Sequence, residues 1–526
     1  MGFLTGLIMP FLKLVFKFLM FIGFYWFFIC LAPFLIYELT PYYTPLKEGT
    51  FLYFVQDKLV YISFALMALT TIQNIIRTVT KNNRFRLWNL FTKNQKAKEK
   101  AIQAPKASNE LISAKPEGFT FGKQGTNYIR KAISMDGHIL TIGGAGSGKS
   151  SCIAIPSLIS WESRVFAVDI KGELSAKTSF KRPNIKVFNP MSNDSDGYNP
   201  YYLLAKSRNP VQDAREITLA IIPTPANVKE PFWIESAQNI LTGAILHFFG
   251  QGYTFPQTIN AVQSTPVETL ISTIHSSPTP DAKYFVNQLV GMDLKTLAGV
   301  FSELSNKIMP FATDPDIKTC LSKKNYITPE DIERGNDIYL NIPEDKIEQW
   351  KGLLTLIINQ FLKHFERRPD IDATPVLFLL DEFKRLGKIE TVINGLATLR
   401  SKKVTICILT QSLADLDVIY TADQRKVIAD NCQYKAILNA TDADTQDYFS
   451  RLIGTYDKAK YSKSDNFEQY TGLGKGSGTS ETTEEKRIIK PEQFATLKKI
   501  VLLTPFGFLQ VEKTPYYEDK NFSNSN

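Results

Sequence analysis

The chain has 526 residues, of which 21% are charged and 44% hydrophobic; this excludes a wholly disordered polymer and allows about three or four domains. Lys and Arg number 61 against 52 Asp and Glu, a net +9. Thirteen of those bases and only three acids lie between Arg77 and Lys131, a local +10, so the remainder sums to −1 and the net charge alone does not define a nucleic-acid binder. Cys30, Cys152, Cys320, Cys407 and Cys432 form no C-x-x-C pair, and His138, His247, His275 and His364 show no metal-binding spacing. A disulfide framework, a zinc knuckle and metal chemistry from protein ligands alone are therefore disfavoured.

The first predicted elements are two membrane spans. Residues 18–37 (FLMFIGFYWFFICLAPFLIY) carry no charge over the length that a spanning helix needs, and residues 59–76 form a shorter, less apolar second span. The first span is too long for a signal-peptide core, and no A-x-A site follows it. Lys13 and Lys17 precede the first span, and Arg77, Lys81, Arg84 and Arg86 follow the second. By the positive-inside rule both termini face the cytoplasm. The +10 stretch then becomes a juxtamembrane collar facing anionic lipid.

Gly143, Gly144, Ala145, Gly146, Ser147, Gly148, Lys149 and Ser150 fit G-x-x-x-x-G-K-[ST] completely. Glycines let backbone N–H groups approach phosphates, Lys149 would reach the β- and γ-phosphates, and the Ser150 hydroxyl would ligate Mg²⁺. His138–Ile142 reads as the strand before the loop, and Ser151–Ser160 as the helix that completes the anion site. Val165–Val168 is a further strand, ending in Asp169-Ile170-Lys171-Gly172-Glu173.

Residues 206–325 read as mostly helical, with apolar i, i+3, i+4 spacing over Val211–Ile222, Trp233–Phe249, Val267–His275 and Leu294–Met309. Their charges balance, ten basic against ten acidic, which suits substrate or partner contact better than tight phosphate gripping. Alternating elements follow: strand Asp337–Ile342, helix Gln349–Glu366, and strand Val376–Leu380 ending in Asp381 and Glu382. Asp381 would hold Mg²⁺ and Glu382 would orient the attacking water. Strand Val404–Thr410 ends at Gln411, a candidate sensor of the γ-phosphate, and Tyr434–Leu438 is another strand. Residues 456–486, polar and Gly/Ser-rich, read as a mobile loop; Ile500–Thr504 with Phe508–Val511 reads as a hairpin; the last dozen residues read as frayed.

The pattern predicts an α/β fold. It is a P-loop NTPase with a parallel sheet and an extra strand between the two nucleotide motifs, interrupted by an all-α insertion and preceded by a two-helix transmembrane anchor. The expected divisions are a hairpin over 1–80, the nucleotide-binding domain over 81–205 and 326–515, the insertion over 206–325, and a frayed tail over 516–526.

This order of parts resembles the type IV secretion coupling proteins, membrane ATPases of conjugation and effector export. The resemblance rests on GGAGSGKSS (143–151), VDIKGE (168–173), FWIESAQNIL (232–241), LFLLDEF (377–383), LRSKKVTICILTQS (399–412) and the ending KTPYYED; Ile170 stands where the family usually has Pro. The resemblance implies a RecA- and ring-helicase-like homohexamer at the bacterial inner membrane, using ATP and Mg²⁺. It also implies partners in the secretion channel and a cargo of relaxase-bound DNA or protein effectors. The phosphate site would run from Gly143 to Ser151, with Lys149, Glu382 and Gln411 catalytic and Ser150 and Asp381 on the metal. Arg400 matches the family's arginine before the third motif and would act across the subunit interface; a second family arginine, upstream of the phosphate loop, has only Arg130 and Lys131 as near candidates. Two other readings fit parts of the pattern: a chromosome-segregation DNA pump, and a docking receptor that binds nucleotide without hydrolysing it.

Overall fold

The computed structural model describes residues 69–70, 72–73, 106–225, 228–370, 373–467 and 474–523, with backbone only over 459–481. Both predicted spans lie outside the described residues except for Leu69, Thr70, Ile72 and Gln73, which are helical and exposed. Among the described residues no helix is long and apolar enough to cross a membrane. Residues 99–526 form one unit.

That unit is built on a mixed sheet. In chain order its strands are β1 (Ile112–Ser113), β2 (Phe119–Gln124), β3 (Asn127–Lys131), β4 (Ile139–Ile142), β5 (Arg164–Asp169), β6 (Ile185–Phe188), β7 (Asp337–Asn341), β8 (Val376–Leu380), β9 (Val404–Thr410) and β10 (Tyr434–Ile437). A separate ribbon follows, β11 (Thr455–Phe467) with β12 (Gly474–Arg487), and then the hairpin β13 (Lys499–Thr504) and β14 (Gly507–Glu512). Spatial order is β1-β3-β2-β14-β13-β10-β4-β9-β8-β5-β7-β6. From β10 to β6 the neighbours are parallel; β13, β14 and β1–β3 extend the sheet with antiparallel pairs. The strand between the first two nucleotide motifs is β9, flanked by β4 and β8.

The continuous apolar runs of β8 and β9 are buried at every position, as parallel strands covered on both faces must be. Period-two alternation sends their side chains into two different cores. Val376, Phe378, Leu380, Val404, Ile406 and Ile408 join one apolar cluster; Leu377, Leu379, Cys407 and Leu409 join the other. The first cluster continues without a break into the helices of the insertion. Those helices include Pro210–Ile221, Phe232–Gly250, Phe255–Ser264, Val267–His275, Leu294–Thr313 and Pro315–Ser322. The buried Trp350 on helix Ile347–Glu366 donates its Nε1–H to Asp314 Oδ2 at 3.0 Å, tying the core to the N-cap of Pro315–Ser322. Near the β6 edge of the sheet, Arg182, in the segment before β6, and Asp337, at the start of β7, form a buried ion pair at 2.7 Å.

Two expectations need correction. Residues 456–467 and 474–486 are strands rather than a loop: β11 and β12 pair antiparallel from Thr455↔Arg487 to Phe467↔Gly474. Serines and glycines mimic a linker composition, but interspersed Thr, Tyr and charged residues tolerate an extended, solvated backbone whose polar groups pair across the ribbon. Nor are residues 516–523 frayed. Asp519 is 6% exposed, accepts the Tyr128 hydroxyl at 2.6 Å and pairs with Lys123 at 2.7 Å, while Phe522 packs edge-on against Tyr128. A short polar tail was expected to be free because its apolar anchor is a single phenylalanine.

Candidate nucleotide site

The phosphate loop leaves the C-terminal end of β4 and winds into a wide π-helical turn, Lys149–Ala154, that runs on as helix Ile155–Ser160. Gly148 holds φ +98°, a conformation a side chain would strain, and a Cβ there would meet Cys152 Sγ at 2.9 Å. The Gly143 N–H donates to Thr410 O on β9 at 3.1 Å, and the Gly144 N–H donates to Asn439 Oδ1 at 2.7 Å. Asn439 is a site residue that the sequence reading passed over. Its signal is the same as that of Gln411: a polar residue just after an apolar strand of the parallel block.

Lys149 is buried, and its ammonium donates to the loop's own Gly143 O at 2.6 Å. The Ser147 hydroxyl is buried with no hydrogen-bond partner among the described residues. An orphaned donor inside a glycine loop fits an anionic ligand, because a buried polar group left unpaired is costly.

Asp381 and Glu382 follow β8, one strand beyond β9. Burial first, and then the Glu382 carboxylate, push the Asp381 carboxyl up to about 6, against the opposing pull of the Lys149 ammonium. Chain positions 149 and 381 are thus electrostatic neighbours. Glu382 sits in the left-handed region at φ 45°, ψ 46°, a strain of about 1–3 kcal/mol for a residue with a side chain. Its Oε2 accepts from Gln411 Nε2 at 3.5 Å. The structure therefore gathers Lys149, Asp381, Glu382 and Gln411 at the C-terminal edge of β4, β8 and β9, where α/β sheets bind ligands. Gly143 to Ser151, including Ala145, Gly146 and Ser150, lie at the same edge.

Among the described residues no group of three His, Cys, Asp or Glu could hold a metal unaided. Ser150 and Asp381 are the oxygen donors available for Mg²⁺, which usually completes its shell with water and substrate phosphate. Asp169 is committed elsewhere: it accepts from the N–H groups of Leu174 and Ser175 and from the Ser175 hydroxyl, capping helix Glu173–Thr178.

Arg400 is not part of this gathering. It is exposed in the turn before β9, whereas Gln411 follows the far end of that seven-residue strand, about 20 Å along. Both upstream candidates have partners of their own within the chain. Arg130 pairs with Glu117 at 2.9 Å. Lys131 is fully buried, donates to Met135 O and Thr405 Oγ1, and is pulled down to about 7 by burial.

A phosphate loop, a strand-end carboxylate pair and an intervening strand define an α/β P-loop NTPase fold. Residues 90–526 match the family described as type IV secretory system conjugative DNA transfer, and the chain belongs to that family. The chain is 26% identical over 403 residues to Protein VirD4 of Rhizobium radiobacter, covering 73% of this chain and 57% of the relative. It is 23% identical over 353 residues to conjugal transfer protein TraG of Escherichia coli, covering 60% of this chain and 55% of the relative. The chain thus spans under three fifths of the length of these curated relatives. Among solved structures, the bacterial conjugative coupling protein TrwBdeltaN70 with sulphate superposes at TM-score 0.62 and 16% identity, over 82% of this chain and 93% of that one. TrwB in complex with the ATP analogue ADPNP gives 0.60 at 16% identity, over 82% and 94%. Membership in this family sets aside the chromosome-segregation pump.

Proposed function

We propose that the chain is a membrane-anchored coupling ATPase that delivers cargo to a type IV secretion channel. The observation that carries this reading is the convergence of Lys149, Asp381, Glu382 and Gln411 at one sheet edge in a family of conjugative DNA transfer. ATP is the substrate. Lys149 binds the β- and γ-phosphates once its ammonium turns from the Gly143 carbonyl to an anion. Ser150 and Asp381 would hold Mg²⁺, which when bound would supply charge neutralisation for the phosphates. Glu382 orients a water and takes up its proton as the oxygen bonds to the γ-phosphorus; the bond to the β–γ bridging oxygen breaks and ADP leaves. Gln411 holds Glu382 and reads the γ-phosphate.

In a homohexamer Arg400 of one protomer would complete the site of the next, neutralising charge on the transferring phosphoryl group. Its place at the end of β9 away from its own phosphate loop supports a cross-subunit role. The two N-terminal spans, with both termini cytoplasmic in the inner membrane, would set this ring beneath the channel. TrwB has been solved with ADP and Mg²⁺, which favours the same ligands here. The family's role in conjugative DNA transfer favours relaxase-bound DNA over protein effectors as cargo.

The deciding experiment is ATP turnover by the detergent-purified full chain, with and without single-stranded DNA, beside Lys149→Ala. Turnover lost in the variant, with membrane insertion retained, is the expected result. Undetectable turnover in both proteins would leave the docking receptor as the function, and turnover retained in the variant would refute the site.

A further inference from the structure

The Arg400 carbonyl accepts from the Lys403 N–H at 3.2 Å, but its guanidinium makes no hydrogen bond or ion pair to any described residue, while the residues around it are held from several sides. Thr398 Oγ1 donates to Glu366 Oε1 at 3.0 Å. Leu399 is fully buried in the apolar cluster. Ser401 Oγ donates to Asp370 Oδ1 at 3.1 Å, and Lys402 Nζ pairs with the same oxygen at 2.8 Å. Arg368 donates to the Lys402 carbonyl. Lys403 pairs with Asp136 at 3.4 Å and takes φ +56°, a strained value for a lysine.

The Asp136 side of this arrangement leads straight into the phosphate loop. Asp136 lies in the segment between β3 and β4, and the residues at either end of that segment, Lys131 closing β3 and His138 before β4, bind β9 as well. Lys131 Nζ donates to Thr405 Oγ1 at 3.0 Å, and the Ile406 N–H donates to His138 Nδ1 at 3.0 Å. Exposed ion pairs such as Lys402–Asp370 and Lys403–Asp136 add little to the stability of a fold. Their concentration on one strained turn fixes geometry more than it adds stability.

We infer that Asp370 and Asp136 are positioning residues that clamp the 398–403 turn from two sides, so that Arg400 projects alone and pre-oriented toward a neighbouring subunit. Asp370 anchors the turn to the chain following helix Ile347–Glu366; Asp136 anchors it to the lead-in of the strand that carries the phosphate loop. A pre-oriented guanidinium loses less freedom on reaching the transferring phosphoryl group, which is where such a clamp acts. This inference rests on the reading of Arg400 as the cross-subunit arginine.

The test is steady-state ATP turnover by the full-length assembled chain in detergent, comparing Arg400→Ala, Asp370→Asn, Asp136→Asn, the double variant Arg400→Ala/Asp370→Asn, and Asp370→Glu. Melting temperature and assembly are measured in parallel. The expected result is that Asp370→Asn lowers kcat about tenfold with KM unchanged. The double variant should be no slower than Arg400→Ala alone, and Asp370→Glu should recover most of the rate. Full turnover in both Asn variants, or an Asp370→Asn loss that multiplies with the Arg400→Ala loss, overturns the clamp while leaving the Arg400 reading standing. A loss of kcat that merely follows a lowered melting temperature or failed assembly also overturns it. Full turnover in Arg400→Ala overturns the cross-subunit reading itself, and the clamp with it.

Discussion

At the C-terminal end of β9 polar side chains converge: Gln411 reaches Glu382, the Gly143 N–H reaches Thr410 O, and the Lys149 ammonium is felt by Asp381. At the N-terminal end the side chains around Arg400 bond to one another and leave its guanidinium exposed, with no hydrogen bond or ion pair among the described residues. One strand thus carries two chemically incomplete sites. On the proposed reading the first has a phosphate cradle, a metal-side carboxylate and a water-orienting carboxylate, and lacks the cross-subunit arginine. The second has an arginine and no cradle. A strand of seven residues cannot bring its own ends together, so on the proposed reading a second copy would complete each site.

The strongest way to break this comparison is to inactivate the two ends in different molecules. Lys149→Ala and Arg400→Ala should each be inactive as pure rings, with an arginine loss of about 10³-fold. Mixed before assembly, they should regain turnover. An Arg400→Ala protomer still has its phosphate loop, and a Lys149→Ala neighbour still offers Arg400. Mixtures that stay as inactive as their components would show that the two ends serve one protomer or that Arg400 serves none.

Glu382→Gln should lower kcat by about 10²–10⁴-fold while ATP still binds, because the amide keeps the shape and hydrogen-bonding reach but cannot take a proton from water. Equilibrium nucleotide binding measured beside turnover checks it. Equal losses in both would move Glu382 from chemistry to binding.

Asp381 sharpens the comparison through stability. Its folded pKa of about 6 lies above the ordinary carboxylate value, so its contribution to stability is fully present below pH 4 and is lost as pH rises through 6. Asp381→Asn should therefore raise the nucleotide-free melting temperature at pH 8, an effect of at most about 3 kcal/mol, and the gain should vanish toward pH 4. A gain that does not change with pH would mean that packing, rather than charge, is responsible.

How much of this was legible in the sequence depends on how local the signal is. Val376–Leu380 announces a doubly buried strand through five consecutive apolar residues, and the phosphate loop announces itself through fixed spacing. Gln411 follows from strand-end logic, but Asn439, which obeys the same logic, lacks a motif to draw attention to it. Helix Phe255–Ser264 carries only four buried positions, although Thr254 and Gln257 form a capping box at its start. The ribbon β11–β12 was hidden because composition reports linker chemistry whereas pairing is a two-strand property. Most illegible was the clamp, since Asp136, Glu366 and Asp370 reach the Arg400 turn across separations that no window spans.

The smallest predicted effect tests a part of the molecule at neither end of β9. Asp519 holds Tyr128 and Lys123 on the β2–β3 hairpin, and in the sheet β2 is separated from β4 by β14, β13 and β10. Asp519→Ala removes a buried acceptor but leaves the Tyr128 hydroxyl its second bond, from Asn521 Nδ2 at 2.7 Å. The expected cost is therefore at the low end of about 1–3 kcal/mol, read as a lower denaturation midpoint, with kcat and KM for ATP unchanged. A frayed tail predicts no change in either quantity. Loss of turnover together with stability would mean that catalysis in this protein follows global stability, and the kinetic losses expected at Glu382 and Arg400 would then have to be measured at matched stability before being assigned to chemistry.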